Sequence, residues 1–289
     1  MTSQLPVYTI DVFSPADEHA DFYANTLKPH VTGHAFTNLP HKHDFYLVML
    51  VTKGSGTHEI DFTKHTVKPG SIFIMKPGQM HYWKLSKDID GYIFFHSKTF
   101  YEEEFTGLKL RDYPFYASYQ AASMMTVSDP SELKALMNEI VNEFRDRKAY
   151  QQQSLHALVN LVYVKLSRAY KLNKTAKSQA YLQTAFEFEK LLEQHFKEKR
   201  SASDYAALLN ITEKHLNRIV RECFNKTSTQ LIAERIVLEA KRMLIHSNKQ
   251  VTQIAYDLGY TDKSYFVRFF KKNAGETPLA FSERYKRRK

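Results

Sequence analysis

The chain has 289 residues, 43% hydrophobic and 25% charged with only 9 Gly and 9 Pro, which excludes disordered and fibrous classes and predicts two domains of ordinary size. Its formal net charge of +10 is unevenly placed: residues 176–289 carry 22 Lys+Arg against 13 Asp+Glu, residues 1–175 carry 19 against 18, and nine of the 13 His lie in the first hundred positions. A single cysteine, Cys223, rules out a disulfide within the chain and fits a reducing cytoplasm, no run approaches the ~18 apolar residues of a membrane span, and MTSQLPVYTID lacks the basic start and apolar run of a signal peptide.

From about Phe36 to Phe95 the pattern is one of short strands broken by turns. Asp44 to Val51 (DFYLVMLV) predicts a buried strand, Thr57 to Phe62 an alternating one, and Ser71 to Met75 and Gly91 to Phe95 two more. Turn signals separate them at Lys53-Gly54-Ser55-Gly56, Lys68-Pro69-Gly70 and Lys76-Pro77-Gly78-Gln79. Strands at this spacing predict an all-β sandwich or barrel. Helical spacing takes over after Asp129-Pro130, with Leu133, Leu136, Met137, Ile140, Val141 and Phe144 on one face. A second such run takes in Leu155, Leu158, Val159, Val162, Val164, Leu166 and Ala169. The polar stretch Lys171 to Gln179 predicts a linker. The expected divisions are therefore 1–128, 129–170, 171–179 and 180–289.

The remainder reads as helices: Tyr181 to Phe196, Ser203 to Leu209, Thr212 to Phe224, Ser228 to His246, Val251 to Leu258, Asp262 to Asn273, and a terminal piece from Pro278. Within it lies an internal repeat. At an offset of 49, Ala206, Leu209 and Asn210 match Ala255, Leu258 and Gly259; at an offset of 50, Leu216, Arg218, Val220 and Arg221 match Phe266, Arg268, Phe270 and Lys271. Each copy has a short helix with a small residue, a capped turn, and a second helix that is apolar on one side and basic on the other. This is the anatomy of a helix-turn-helix. A helix of this kind fits the major groove, where Arg and Lys bond guanine and Asn bonds adenine, while other cations hold phosphate. The basic face carries Lys214, Asn217, Arg218 and Arg221 in the first copy, and Lys263, Ser264, Arg268 and Lys271 in the second. Two such helices about one DNA turn apart, roughly 34 Å, would read successive grooves.

The segment Val251 to Phe281, VTQIAYDLGYTDKSYFVRFFKKNAGETPLAF, resembles the second helix-turn-helix of AraC/XylS-type transcription regulators, and DYAALLNITEKHLNRIVRECFN resembles the first more loosely, with Asn225 where Gly is usual. The resemblance covers roughly 181–287. It implies that Ser228 to His246 joins the two units. It also implies that Lys214, Asn217 and Arg218, with Lys263, Ser264, Val267 and Arg268, face bases, while Arg221 and Lys271 hold phosphate. The aromatics Tyr265, Phe266, Phe269, Phe270 and Phe281 are expected in the core.

Residues His34 to His81 are similar to the cupin-like sensor barrel of the same family. The implied fold is multidomain α+β: an N-terminal cupin-like β-barrel with flanking dimerisation helices, and a C-terminal all-α domain with two helix-turn-helix units. His41, His43 and His81 form a candidate metal set for Zn, Fe or Ni. The carboxylate that metal-binding cupins place three or four residues after the second His is absent, since Tyr46, Leu47 and Val48 stand there, so the expectation is no metal and no cofactor. Phe36, His41, His43, Phe45, Tyr46, Met49, Met75, His81 and Trp83 are candidates for lining a small-molecule pocket. The apolar surface of 131–170 exceeds what one barrel flank needs, so a homodimer is expected. The resulting reading is a cytoplasmic, nucleoid-associated transcription regulator (an activator being one form) that binds double-stranded DNA and a small-molecule effector, with RNA polymerase as a further partner and no membrane. Two alternatives remain at this point: a cupin-type metalloenzyme with an accessory helical domain, and a general nucleic-acid scaffold without ligand response.

Overall fold

The computed structural model describes residues 6–14, 21–104, 109–117, 121–170, 179–247 and 249–286. The chain divides into two compact units, residues 5–171 and 172–289. Residues 171–178 of the expected linker lie outside the described residues.

The first unit is built on β1 (Val7–Tyr8), β2 (Phe22–Thr26), α1 (Leu27–Gly33), β3 (Lys42–His43), β4 (Tyr46–Lys53), β5 (Gly56–Ile60), β6 (Thr63–Val67), β7 (Ser71–Met75), β8 (His81–Leu85) and β9 (Asp90–His96). The chain continues through α2 (Lys98–Glu104), α3 (Pro114–Ala117), β10 (Met124–Thr126), α4 (Ser131–Asp146) and α5 (Gln151–Ala169). An antiparallel five-stranded sheet has the order β10-β7-β4-β9-β2, a three-stranded sheet the order β6-β5-β8, and β1 pairs in parallel with β3. The expected strand at Asp44 to Val51 begins two residues later, because Asp44 and Phe45 form a bend. The expected strand to Phe62 stops at Ile60, where Asp61 and Phe62 turn the chain with φ of 45° and 70°.

The period of two along β4 divides two cores. Leu47, Met49 and Val51 face the core between the sheets, with Phe73 and Met75 of β7, Phe95 of β9, Trp83 of β8 and Ile60 of β5. Val48 and Leu50 face the other way and pack with Ile72, Ile74 and Phe94 against Leu133, Met137, Ile140, Leu155, Val159 and Val162 of α4 and α5. The apolar excess of 131–170 is thus used within the unit. Leu161, 41% exposed, is the large apolar side chain of α5 that stays open among the described residues. A polar seam crosses this second core, in which His96 Nε2 bonds the Tyr163 hydroxyl and Asn160 Oδ1 accepts from the hydroxyls of Tyr101 at 3.0 Å and Tyr113 at 2.8 Å.

The second unit is helical: α6 (Gln179–His195), α7 (Ala202–Leu208), α8 (Glu213–Phe224), α9 (Ser228–His246), α10 (Val251–Asp257), α11 (Lys263–Ala274) and α12 (Pro278–Lys286). Its helix starts are set by side chains that satisfy otherwise unpaired N–H groups. Ser201 and Asp204 form a reciprocal capping box on α7, and Thr227 and Gln230 form one on α9. Thr212 accepts from His215 N at 3.2 Å, and Asp262 from Ser264 N and Tyr265 N. The two copies superpose in register: α7 and α10 begin 49 residues apart, α8 and α11 begin 50 apart. Both reading helices end on a left-handed residue, Asn225 at φ 53° and Gly275 at φ 83°.

Candidate nucleic-acid interface and histidine cluster

Burial on α8 and α11 follows the expected faces. Leu216, Val220, Phe266, Phe270 and Phe281 are buried, as are the small residues Ala206 and Ala255 where the paired helices cross. Lys214, Arg218 and Arg221 are exposed on α8, and Lys263, Ser264, Arg268 and Lys271 on α11, with Val267 half-buried among them. Each reading helix borders a groove. One of about 650 Å³ is lined by Lys214, Asn217, Arg218 and Arg221 together with Thr212, Thr227 and Thr229. The other, of about 550 Å³, is lined by Lys263 and Val267 with Lys249, Gln250, Thr252, Thr277 and Leu279. The groove walls supplied by the starts of α9, α10 and α12 were not among the expected residues. Thr227 and Thr277, which precede α9 and α12, are the legible signal; α10 is preceded by Gln250 and carries none.

Three placements differ from expectation. Asn217 Oδ1 accepts from Ser228 N at 3.1 Å and from Ser228 Oγ at 2.6 Å, where Ser228 is fully buried at the start of α9. A bidentate adenine contact needs both the carbonyl and the amide of Asn. The carbonyl is committed to the fold, leaving only the amide N–H groups to face a base. Arg218 Nη2 donates to His215 Nδ1 at 2.7 Å and lies over the Tyr181 ring, so this guanidinium is braced by α6. Tyr265 is 55% exposed rather than core, because it falls one position before the buried Phe266 and so points off the apolar stripe.

The core between the two sheets gathers histidines. The rings of His41 and His81 lie 4.2 Å apart, those of His43 and His81 5.1 Å, and those of His58 and His81 5.1 Å. Trp83 adjoins His58 at 5.4 Å, His81 at 5.5 Å and His30 at 6.1 Å. Phe45, Met49 and Met75 line the same core, and Phe36 packs half-buried against it. Tyr46 does not. It stacks on His96 at 5.4 Å and meets Tyr116 edge-on, on the helix side of β4. Tyr46 and Met49 are three residues apart on one strand, so they cannot share a face. His58 was missed, although its alternation with Ile60 on β5 marks it as inward-facing.

Burial sets the charge state of this cluster. Desolvation pushes His30 and His43 down to about 3 and His41 to about 4, and drives His58 and His81 well below the usual imidazole range, each assisted by neighbouring imidazoles except His41. The imidazoles are therefore neutral near pH 7. The Phe45 carbonyl can only accept, so His43 Nδ1, 2.7 Å away, carries that ring's proton. His58 Nε2 and His81 Nδ1 share one hydrogen bond of 2.9 Å. His30 Nε2, His43 Nε2, His58 Nδ1, His81 Nε2 and Trp83 Nε1 are buried without a hydrogen-bond partner. Among the described residues, no three His, Cys, Asp or Glu side chains are arranged to hold a metal ion. The rings of His41, His43 and His81 do meet, and Nδ1 of His81 is taken up by the bond to His58.

No helix among the described residues is long and apolar enough to cross a membrane. Comparison with known proteins gives a consistent result. Residues 26–160 match the AraC-like ligand binding domain and residues 205–284 match a helix-turn-helix domain. The transcriptional activator RhaR of Mannheimia succiniciproducens is 20% identical over 250 residues, which are 85% of this chain and 87% of RhaR. The HTH-type transcriptional regulator YfiF of Bacillus subtilis is 23% identical over 266 residues, 89% of this chain and 82% of YfiF. The solved structure of ToxT from Vibrio cholerae is similar with a TM-score of 0.45 at 15% identity, over 91% of this chain and 98% of that one. With the sensor and the DNA-binding domain both matched, in that order and over most of the chain, the protein belongs to the AraC/XylS-type transcription regulators.

Proposed function

We propose that the first unit holds an uncharged polar effector at its buried histidine cluster and that the second reads two successive major grooves of an operator. The observation that supports the effector reading is the set of five buried ring nitrogens without partners. Burying a polar group unpaired costs about 1–3 kcal/mol, so this set is a reserve of unmet hydrogen-bonding capacity. Trp83 Nε1 is a donor and His43 Nε2 an acceptor. Whichever of His58 and His81 donates in their shared bond, the pair turns one further donor and one further acceptor outward. Asn25 donates to the Tyr23 hydroxyl, and where that hydroxyl donates in turn to His30 Nδ1, 3.1 Å away, His30 Nε2 carries the ring proton and is a third donor. A mixed set on neutral rings suits a molecule that both donates and accepts, such as a polyol, better than an anion or a cation. Trp83 is the sole tryptophan, so its emission reports the cluster directly. Neutral polyols are expected to shift that emission at concentrations where carboxylates and ammonium compounds of equal carbon number do not. A response confined to the charged compounds would overturn the assignment.

On the DNA side, Arg218, Arg268, Lys214, Lys263, Ser264 and Val267 are assigned to bases, and Arg221 and Lys271 to phosphates. Arg268→Ala is expected to cost about 1–3 kcal/mol on an operator selected from a random pool and to relax preference at one base position. A uniform loss across all sequences would move Arg268 to the phosphate class. We further assign the chain to the cytoplasm as a homodimer formed through the exposed side of α5 around Leu161. RNA polymerase is its partner where it activates, and the histidine cluster binds its effector without turning it over. The effector acts only insofar as it binds one state of the chain better than another.

A further inference from the structure

We infer that Arg200 is the positioning residue that fixes the two reading helices relative to each other, and so sets which half-site spacing the protein accepts. This rests on the two-groove reading above. Arg200 sits between α6 and α7, immediately before the Ser201 cap, and so belongs to the first helix-turn-helix. Its guanidinium nevertheless engages the turn of the second. Nη2 donates to the Leu258 carbonyl at 3.0 Å, and the Cζ atom lies 3.9 Å from the centre of the Tyr260 ring. Leu258 is the C-cap of α10, so its carbonyl is one that the helix leaves unpaired, at the negative end of the helix dipole. Between these two anchors stands Gly259, at φ +75°, where an added Cβ would lie 2.2 Å from the Lys197 carbonyl oxygen and 2.6 Å from Arg200 Nη2. The turn of the second copy is thus docked directly on backbone 197–200 of the first.

A further connection between the copies is α9, which packs on both. Its 19 residues, about 28 Å at 1.5 Å each, form one spine. A single spine leaves rotation about its axis resisted only by the helices packed on it. Arg200 adds a second point of attachment away from that axis. A planar guanidinium that both stacks and bonds is geometrically demanding in a way an ammonium is not. The equivalent turn of the first copy, at Asn210, is exposed and carries no such dock. The clamp is therefore a property of the pair of copies rather than of each one.

The test uses the full chain and the operator recovered by selection, with 2 bp inserted between its half-sites. Such an insertion rotates one half-site by about 70° relative to the other. The wild-type protein is expected to bind the spaced operator roughly 100-fold more weakly, about the loss of one half-site's contacts. In Arg200→Ala the penalty is expected to fall below about tenfold, with affinity for a single half-site unchanged within about twofold. If Arg200→Ala melts below the assay temperature, Arg200→Lys reads the same ratio, because it keeps the charge and gives up the stacked fork. A spacing penalty unchanged in both variants, or an equal loss on every DNA, would overturn the inference. A wild-type protein indifferent to spacing would instead overturn the two-groove reading.

Discussion

Acidification is expected to unfold the first unit well above the pH at which carboxylates titrate. His30 and His43 are held at about 3, and His41 and His96 at about 4, all chiefly by burial. In the unfolded chain the same imidazoles take up a proton near 6.5. Between that value and the folded one, the unfolded state binds protons that the native state refuses, so stability falls as pH falls. Above about 6.5 neither state is protonated and the four groups contribute nothing. At pH 5.5 each costs about 1.4 kcal/mol, together about 5–6 kcal/mol, against a typical total of 5–15 kcal/mol. His58 and His81 act in the same direction. Trp83 is fully buried in this unit and reports its melting without interference from another tryptophan. The melting temperature followed by Trp83 emission should be flat from pH 8 to 7 and drop steeply below about 6.5. A curve still flat at pH 5.5 would show that these rings are hydrated or charged in the folded chain, and would remove the neutral-cluster argument with it.

The same histidines show where reading the sequence stops. Their number near the N-terminus and the inward face of the HKH motif were legible, but membership of the cluster was not. His58 joins it from β5 and His30 from α1, and sequence spacing does not say that a hairpin and a helix 28 residues apart end at the same place. Tyr46 was assigned to the pocket lining for its chemistry, against the period of two that sends it to the helix side. The helical unit was far more legible, because the repeat supplies its own control. Residues that match at offsets 49 and 50 must do the same structural work twice, and the helix starts and caps fall where the comparison puts them. What the repeat hides is asymmetry. Asn217 caps α9 with the carbonyl that adenine reading would use, and no pattern within α8 reveals this, since Ser228 is reached only through the tertiary fold.

The largest expected effect in the helical unit follows from one such asymmetry, Asn210 against Gly259. Both turns place this residue in the left-handed region, at φ 54° and 75°. Asn tolerates that region better than most residues, which is why it suffices in the first copy. If backbone angle were the only demand, Gly259→Asn would be nearly harmless. The close approach of Lys197 O, 2.2 Å from where a Cβ would stand, makes a second demand that only Gly meets, because backbone rather than a flexible side-chain end blocks the space. Gly259→Asn is therefore expected to destabilise the chain by about 1–3 kcal/mol, the usual cost of forcing extra atoms into a packed site. Gly259→Ala should lose roughly 1 kcal/mol more, since Ala adds a strained backbone angle to the same contact. Asn210→Gly should stay within about 0.5 kcal/mol of the parent, as a substitution at an exposed turn. Urea unfolding followed by circular dichroism, with the helical transition resolved from Trp83 emission, measures all three. If Gly259→Asn matched the parent, the second turn would be free of the first copy's backbone. Arg200 would then grip a loop that is able to move, and the fixed angle between the reading helices would lose its structural cause.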